Sequence, residues 1–167
     1  MKKKAEPTTL ILDSQSVKNS ATAQIGFDGG KLIKGRKRFG LIDTLGATVA
    51  TCVLPANAHD SQRTLAWWAK LAHHPLLGQV QRVFIGGGFR GEFVKKMANL
   101  YQIEVTVSQK VARQAGKFWV PATRWVVERS ISEISNNRRL ARYYERKVLN
   151  EESFILLCNI RRIVRQC

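Results

Sequence analysis

Acidic residues are scarce in this chain: 12 Asp and Glu stand against 28 Lys and Arg over 167 residues, a net charge of +16. That imbalance excludes a self-neutralising surface and points to a polyanionic partner, nucleic acid before any other. The excess is uneven, with 9 basic against 3 acidic residues over 1–40, 6 against 4 over 41–109 and 13 against 5 over 110–167. Both ends are basic and the middle is nearly neutral.

Cysteine is scarce too. Cys52, Cys158 and Cys167 are odd in number, widely spaced and form no C-x-x-C, which excludes a disulfide framework and a cysteine zinc site and suits a reduced, cytoplasmic setting. A long apolar run is missing, so a spanning helix is not expected. Met1-Lys2-Lys3-Lys4 leads into Ala5-Glu6-Pro7 with no apolar signal region behind it. The histidines are few: His73-His74 precede Pro75 as at a helix end, and His59 falls in a turn, a poor arrangement for a metal clamp. No internal repeat or low-complexity segment is present, and the length suits one domain over residues 1–167.

What is there reads as alternating strands and helices. Thr8 to Leu12 is a β-branched and apolar run that predicts a buried strand delivering Asp13 at its C-terminal end. Residues 14–35, rich in glycine, predict an irregular loop. Arg38–Asp43 and Ala47–Leu54 predict a hairpin turning at Thr44-Leu45-Gly46. Asp60 suits the N-cap of a helix presenting Leu65, Trp68 and Ala72, and a fourth strand runs from Val80 to Ile85. A helix from Glu92 to Leu100 and a strand from Ile103 to Val107 complete a βαβ unit. From Pro121 the period becomes helical, with Val127, Ile131 and Ile134 on an apolar stripe and Arg124, Glu128, Ser132 and Ser135 beside it. A last helix is expected from a cap at Asn150 through Phe154, Leu157, Ile160 and Val164.

That order is the one expected of an α/β, RNase H-like fold: a mixed five-stranded sheet flanked by helices. Several blocks sharpen it: Leu12-Asp13-Ser14-Gln15-Ser16-Val17-Lys18, Gly26-Phe27-Asp28-Gly29-Gly30-Lys31, Lys34-Gly35-Arg36-Lys37-Arg38 and Ile42-Asp43-Thr44-Leu45-Gly46. Pro55-Ala56-Asn57-Ala58-His59-Asp60, Gly87-Gly88-Phe89-Arg90-Gly91, Arg124-Trp125-Val126-Val127-Glu128-Arg129 and Asn136-Asn137-Arg138-Arg139-Leu140 continue them. Together they resemble the C-terminal catalytic part of bacterial insertion-sequence transposases of the DDE superfamily, along nearly the whole chain.

The resemblance implies DNA transposition: metal-dependent strand cleavage and strand transfer. In that family two aspartates and a glutamate hold two Mg²⁺ ions, with Mn²⁺ as a substitute, and the ions activate water or a DNA 3′-hydroxyl for attack on a phosphodiester. Carboxylates suit the task because Mg²⁺ is a hard cation that takes oxygen ligands. Mapped by block, the first aspartate is Asp13 and the glutamate is Glu128. The second aspartate precedes Gly-Gly-Tyr or Gly-Gly-Phe in such transposases, and here that position is Gly86. A glycine offers no ligand, so the resemblance implies impaired catalysis in a fold that tolerates the change. Asp43 and Asp60 belong to blocks of their own and are not expected to stand in.

Lys34, Arg36, Lys37, Arg38, Arg124, Arg129, Arg138, Arg139 and Arg142 are the residues expected to track phosphates of double-stranded DNA, transposon ends and target alike. Read alone, Glu128 would instead pair with Arg124 one turn away, and the arginines would solvate the surface. Trp125 is expected in the core, whereas Trp119 could be core or could stack on a base. The chain begins about a dozen residues before Asp13, which leaves no room for the N-terminal helical DNA-binding region of full transposases of this type. A homodimer on DNA and an N-terminal half from another reading frame are the implied protein partners, in a nucleoid-associated, cytoplasmic setting.

Two further readings stand beside this one. A non-catalytic DNA-binding remnant would keep the fold and lose the chemistry. Gly86-Gly87-Gly88-Phe89-Arg90-Gly91 also satisfies G-x-G-x-x-G between strand and helix, as a dinucleotide-dependent enzyme would. That motif lacks the acidic residue expected near the end of the following strand, where Ser108-Gln109 stand.

Overall fold

The computed structural model describes residues 6–19, 24–71, 73–89, 91–108, 112–114, 117–119 and 122–165, with backbone alone over 112–114 and 117–119. Ala72, Arg90, Cys167, the lysines of residues 2–4 and the Trp119 side chain lie outside the described residues. Strand β1 (Thr9–Lys18) lies at the centre of a mixed sheet. On one side it pairs antiparallel with β3 (Ile33–Asp43), from Leu10↔Asp43 to Lys18↔Gly35. On the other it pairs parallel with β5 (Arg82–Ile85), which pairs parallel with β6 (Glu104–Val107). β4 (Thr48–Pro55) and the three-residue β2 (Gly26–Asp28) both pair with β3. The sheet thus holds the five expected strands plus the short β2, among the described residues.

The expected loop over 14–35 is corrected. β1 continues to Lys18 and β3 begins at Ile33, because Ser14 to Lys18 find a full set of antiparallel partners in Gly35 to Phe39. Asp13 therefore stands inside a strand rather than at its end. The parallel pairing of β1 with β5 does stop at Leu12↔Ile85, so Asp13 and Gly86 are the next residues on adjacent strands.

Alternation along the strands divides the core between two faces. Leu10, Leu12, Phe39, Leu41, Val83 and Ile85 pack toward α1 (Asp60–Leu71) and α2 (Glu92–Tyr101), where Trp68, Phe89, Phe93 and Met97 are buried. Ile11 and Ile42 meet Val127 of α3 (Ala122–Ser135) on the opposite face. Asp13 shares the parity of Ile11 and so points to the α3 side. The short α4 (Arg138–Ala141) and the long α5 (Val148–Val164) close that face through Leu140, Tyr143 and Ile155. α5 begins before the expected cap, at Lys147 rather than Asn150. A short 3₁₀ turn (Pro75–Leu77) follows α1, with His74 Nδ1 accepting from the Leu76 N–H at 3.3 Å. A second antiparallel pair, β7 (Ala112–Gln114) with β8 (Lys117–Trp119), was not legible in the sequence.

α5 turns a polar face to the sheet. Its buried residues are Glu151, Ile155 and Asn159, whereas Leu157, Ile160 and Val164 are exposed. The reason is β4, whose outer edge leaves backbone groups to be satisfied. Asn159 Nδ2 donates to Thr48 O at 2.9 Å, and Asn159 Oδ1 accepts from Thr48 N at 2.8 Å. Glu152 Oε1 accepts from Val53 N at 2.8 Å. Polar side chains of the helix thus take the place of a further strand.

Candidate active site

Asp13, Gly86 and Glu128, from β1, the end of β5 and α3, line one cleft of about 340 Å³. Asp60, Lys31 and Arg124 line the same cleft. Three segments distant in sequence thus converge where β1 and β5 part, at the carboxyl ends of parallel strands.

Asp13 is half-buried, and loss of solvent raises its carboxyl above the ordinary value. The Ser14 N–H at 2.8 Å, Lys31 and Arg124 oppose the shift, and Asp60 adds to it. Lys31 is aimed by a turn in which Asp28 Oδ1 accepts from Gly30 N and Lys31 N, each at 3.1 Å. Asp28 Oδ2 is itself fixed by the Ser16 hydroxyl at 2.5 Å, which holds that carboxyl below its usual range.

Gly86 is not required by the backbone. Among the described glycines only Gly46 and Gly91 have positive φ. A Cβ at Gly86 would meet Asp13 Oδ1 at 3.5 Å, an ordinary contact. A side chain would fit there, facing Asp13. Gly88 differs: a Cβ would come within 2.6 Å of Asp60 Oδ2, so the Asp60 carboxylate would have to shift to admit a side chain.

Glu128 is exposed, and its Oε1 accepts from Arg124 Nε at 2.8 Å. The ion pair that helix spacing allows is therefore formed, and it lies within the cleft. Asp60 Oδ1 accepts from Lys37 Nζ at 3.0 Å. Asp43 is elsewhere, capping the β3–β4 turn by accepting from Leu45 N at 2.9 Å and Ala47 N at 2.7 Å.

Oxygen donors for hard cations number few here. Among the described residues no group of three or more His, Cys, Asp or Glu could hold a metal ion. Asp13 and Glu128 come from separate elements, Gly86 offers no ligand beside them, and Arg124 and Lys37 engage Glu128 and Asp60. This donor set does not fit the implied pair of Mg²⁺ ions. The glycine-rich loop lies beside Asp13 and Asp60 in this cleft.

The basic residues divide. Lys34, Arg124, Arg129, Arg138, Arg139 and Arg142 are exposed, with Arg139 Nη2 also 3.2 Å from Glu145 Oε1. Arg36, Lys37 and Arg38 are buried, which corrects the expectation that they track phosphates. Arg36 Nη1 lies 2.5 Å from Glu151 Oε1, and its other amine donates to Arg146 O at 2.8 Å. Lys37, on the opposite face of β3, reaches Asp60 and lies 3.8 Å from Asp28. Arg38 donates to Gln15 Oε1, to Ser135 Oγ at 2.7 Å and to Leu140 O at 3.3 Å. A second correction concerns Trp125, which is exposed with the Arg129 guanidinium 5.4 Å from its ring centroid. Lys31 and Asp60 were missed as cleft residues, although both stand in the family-like blocks.

Among solved structures, the catalytic core domain of BIV integrase is similar in fold, with a TM-score of 0.54 at 15% identity over 92% of this chain and 81% of that one. That likeness establishes an RNase H-like fold. No curated protein matches the sequence. The Transposase DDE domain family does match, over residues 4–161, nearly the full length of the chain. The chain therefore belongs to the transposase DDE domain family.

Proposed function

We propose that this chain is a transposase domain that engages double-stranded DNA and whose strand-cleaving chemistry is impaired by glycine at the second carboxylate position. The observation that carries the reading is Gly86, which lies beside Asp13 in the cleft shared with Glu128, in a backbone conformation that does not need glycine. The family generally uses a divalent metal, with Mg²⁺ the expected ion and Mn²⁺ its substitute. Asp13 and Glu128 are the ligands retained in this reading, and Lys31 and Arg124 offer positive charge to a phosphodiester entering the cleft. A second copy of the chain and a separately encoded N-terminal half are its protein partners. The outward side chains Leu149, Leu157, Ile160 and Val164 of α5 offer apolar surface for either.

The Arg124–Glu128 ion pair favours a second reading, a DNA-binding remnant without chemistry, because it occupies a ligand oxygen. Calorimetric titration with Mn²⁺ separates the two. If one carboxylate is what is lacking, Gly86→Asp binds Mn²⁺ on the order of a hundredfold more tightly than the unaltered chain, since affinity rises with ligand charge. Equal affinity in both means that another residue serves as the ligand, and no binding in either removes Asp13 and Glu128 as a metal site.

A further inference from the structure

We propose that the groove between the C-terminal halves of α3 and α5 is a second DNA contact, a track for the phosphate backbone flanking the carboxylate cleft. The inference rests on the reading that the chain engages DNA. The groove encloses about 460 Å³ and is lined by four arginines, Arg129, Arg161, Arg162 and Arg165, against one acid, Glu133.

Glu133 is already engaged. Arg129 Nε lies 3.1 Å from its Oε1 and Arg162 Nε 2.8 Å from its Oε2. Arg162 is further tied to the β3–β4 turn, donating to Gly46 O and to Leu45 O at 2.6 Å. Its role is to anchor α5. Arg161 and Arg165 are different: both are exposed, and Arg161 makes one long contact, 3.5 Å to Asn137 Oδ1. Among the described residues Arg165 has no side-chain partner.

Arg161 and Arg165 are four apart on a helix, so they stand side by side about 6 Å apart, and like charges so placed cost stability. The helix C-terminus offsets some of that cost. It does not account for Arg129 and the exposed Asn136, which reach the same groove from α3. Two elements thus direct donors into one concavity, with Arg161 and Arg165 of α5 lacking an acid partner among the described residues, the pattern that backbone phosphates meet on DNA-binding surfaces. Arg129 follows Glu128 directly, so it projects about 100° further round α3.

The test compares binding of a fluorescent random-sequence duplex, at two salt concentrations, by three proteins. One is unaltered, one is Arg161→Gln/Arg165→Gln, and one is Arg63→Gln/Lys70→Gln, which removes the same charge from exposed positions of α1. The groove variant is expected to bind about tenfold more weakly and to lose about two units of the log–log salt slope, with the α1 variant close to unaltered. Equal losses in both variants, or none in the groove variant, overturn the groove while leaving the DNA reading in place. No duplex binding by the unaltered chain overturns both.

Discussion

Asp13 carries two opposed demands, a carboxylate needed at the mouth of a cleft and a position that solvent only partly reaches. Its folded pKa is raised above its ordinary value of 3.8, mainly by desolvation. The native state therefore holds the proton more tightly than the unfolded chain does, and stability falls as pH rises from about that value through the folded pKa. Asp13→Asn is expected to stabilise the fold by roughly 1 kcal/mol at neutral pH. The gain should vanish near pH 3, where both states are protonated; thermal denaturation at the two pH values measures it. An equal gain at both would mean that the amide packs better and that ionisation has no part in it. At this scale the sequence was informative about position and silent about environment. Asp13, Gly86 and Glu128 were legible because whole blocks surround them. The burial of Arg36, Lys37 and Arg38 was not, because a run of charge on a strand reads the same whether its partners are phosphates or the Glu151 and Asp60 carboxylates.

Arg36 and Glu151 join the central hairpin to α5 by a fully buried ion pair. Burial pushes the Glu151 carboxyl up to about 7 against the opposing pull of Arg36. Truncating one partner leaves the other charge buried and unpaired. Arg36→Met should therefore cost about 3–5 kcal/mol, whereas Arg36→Met/Glu151→Leu should recover most of the loss. Urea denaturation of both variants checks it; a double variant no more stable than the single one would show that Arg36's bonds to the Glu145 and Arg146 carbonyls hold the segment instead. The same junction sets the orientation of α5, which the sequence left open: the edge of β4 and the buried guanidinium select the polar face with Glu151, Glu152 and Asn159. The apolar stripe of α3 was legible, Trp125 apart, because Val127 packs against apolar Ile11 and Ile42 on the sheet, where hydrophobic pattern decides orientation.

Across the whole molecule, a net charge of +16 surrounds a cleft whose own carboxylates are too few for the ions that their family uses. Strand order and the βαβ unit were legible from alternation and turns. The extended β1–β3 pairing was not, since glycines that mark a loop also occur where strands cross closely, as at Gly35 beside Val17 and Asn19. In the proposed reading the cleft lacks one carboxylate for strand cleavage, the one that Gly86 cannot supply. The most direct test is nicking of supercoiled plasmid in Mn²⁺, which needs no transposon-end recognition. Gly86→Asp is expected to nick at least about a hundredfold faster than the unaltered chain, and Asp13→Asn in that background to abolish the gain. Equal nicking by the unaltered chain and Gly86→Asp, or an inert Gly86→Asp that still binds DNA and Mn²⁺, would contradict it.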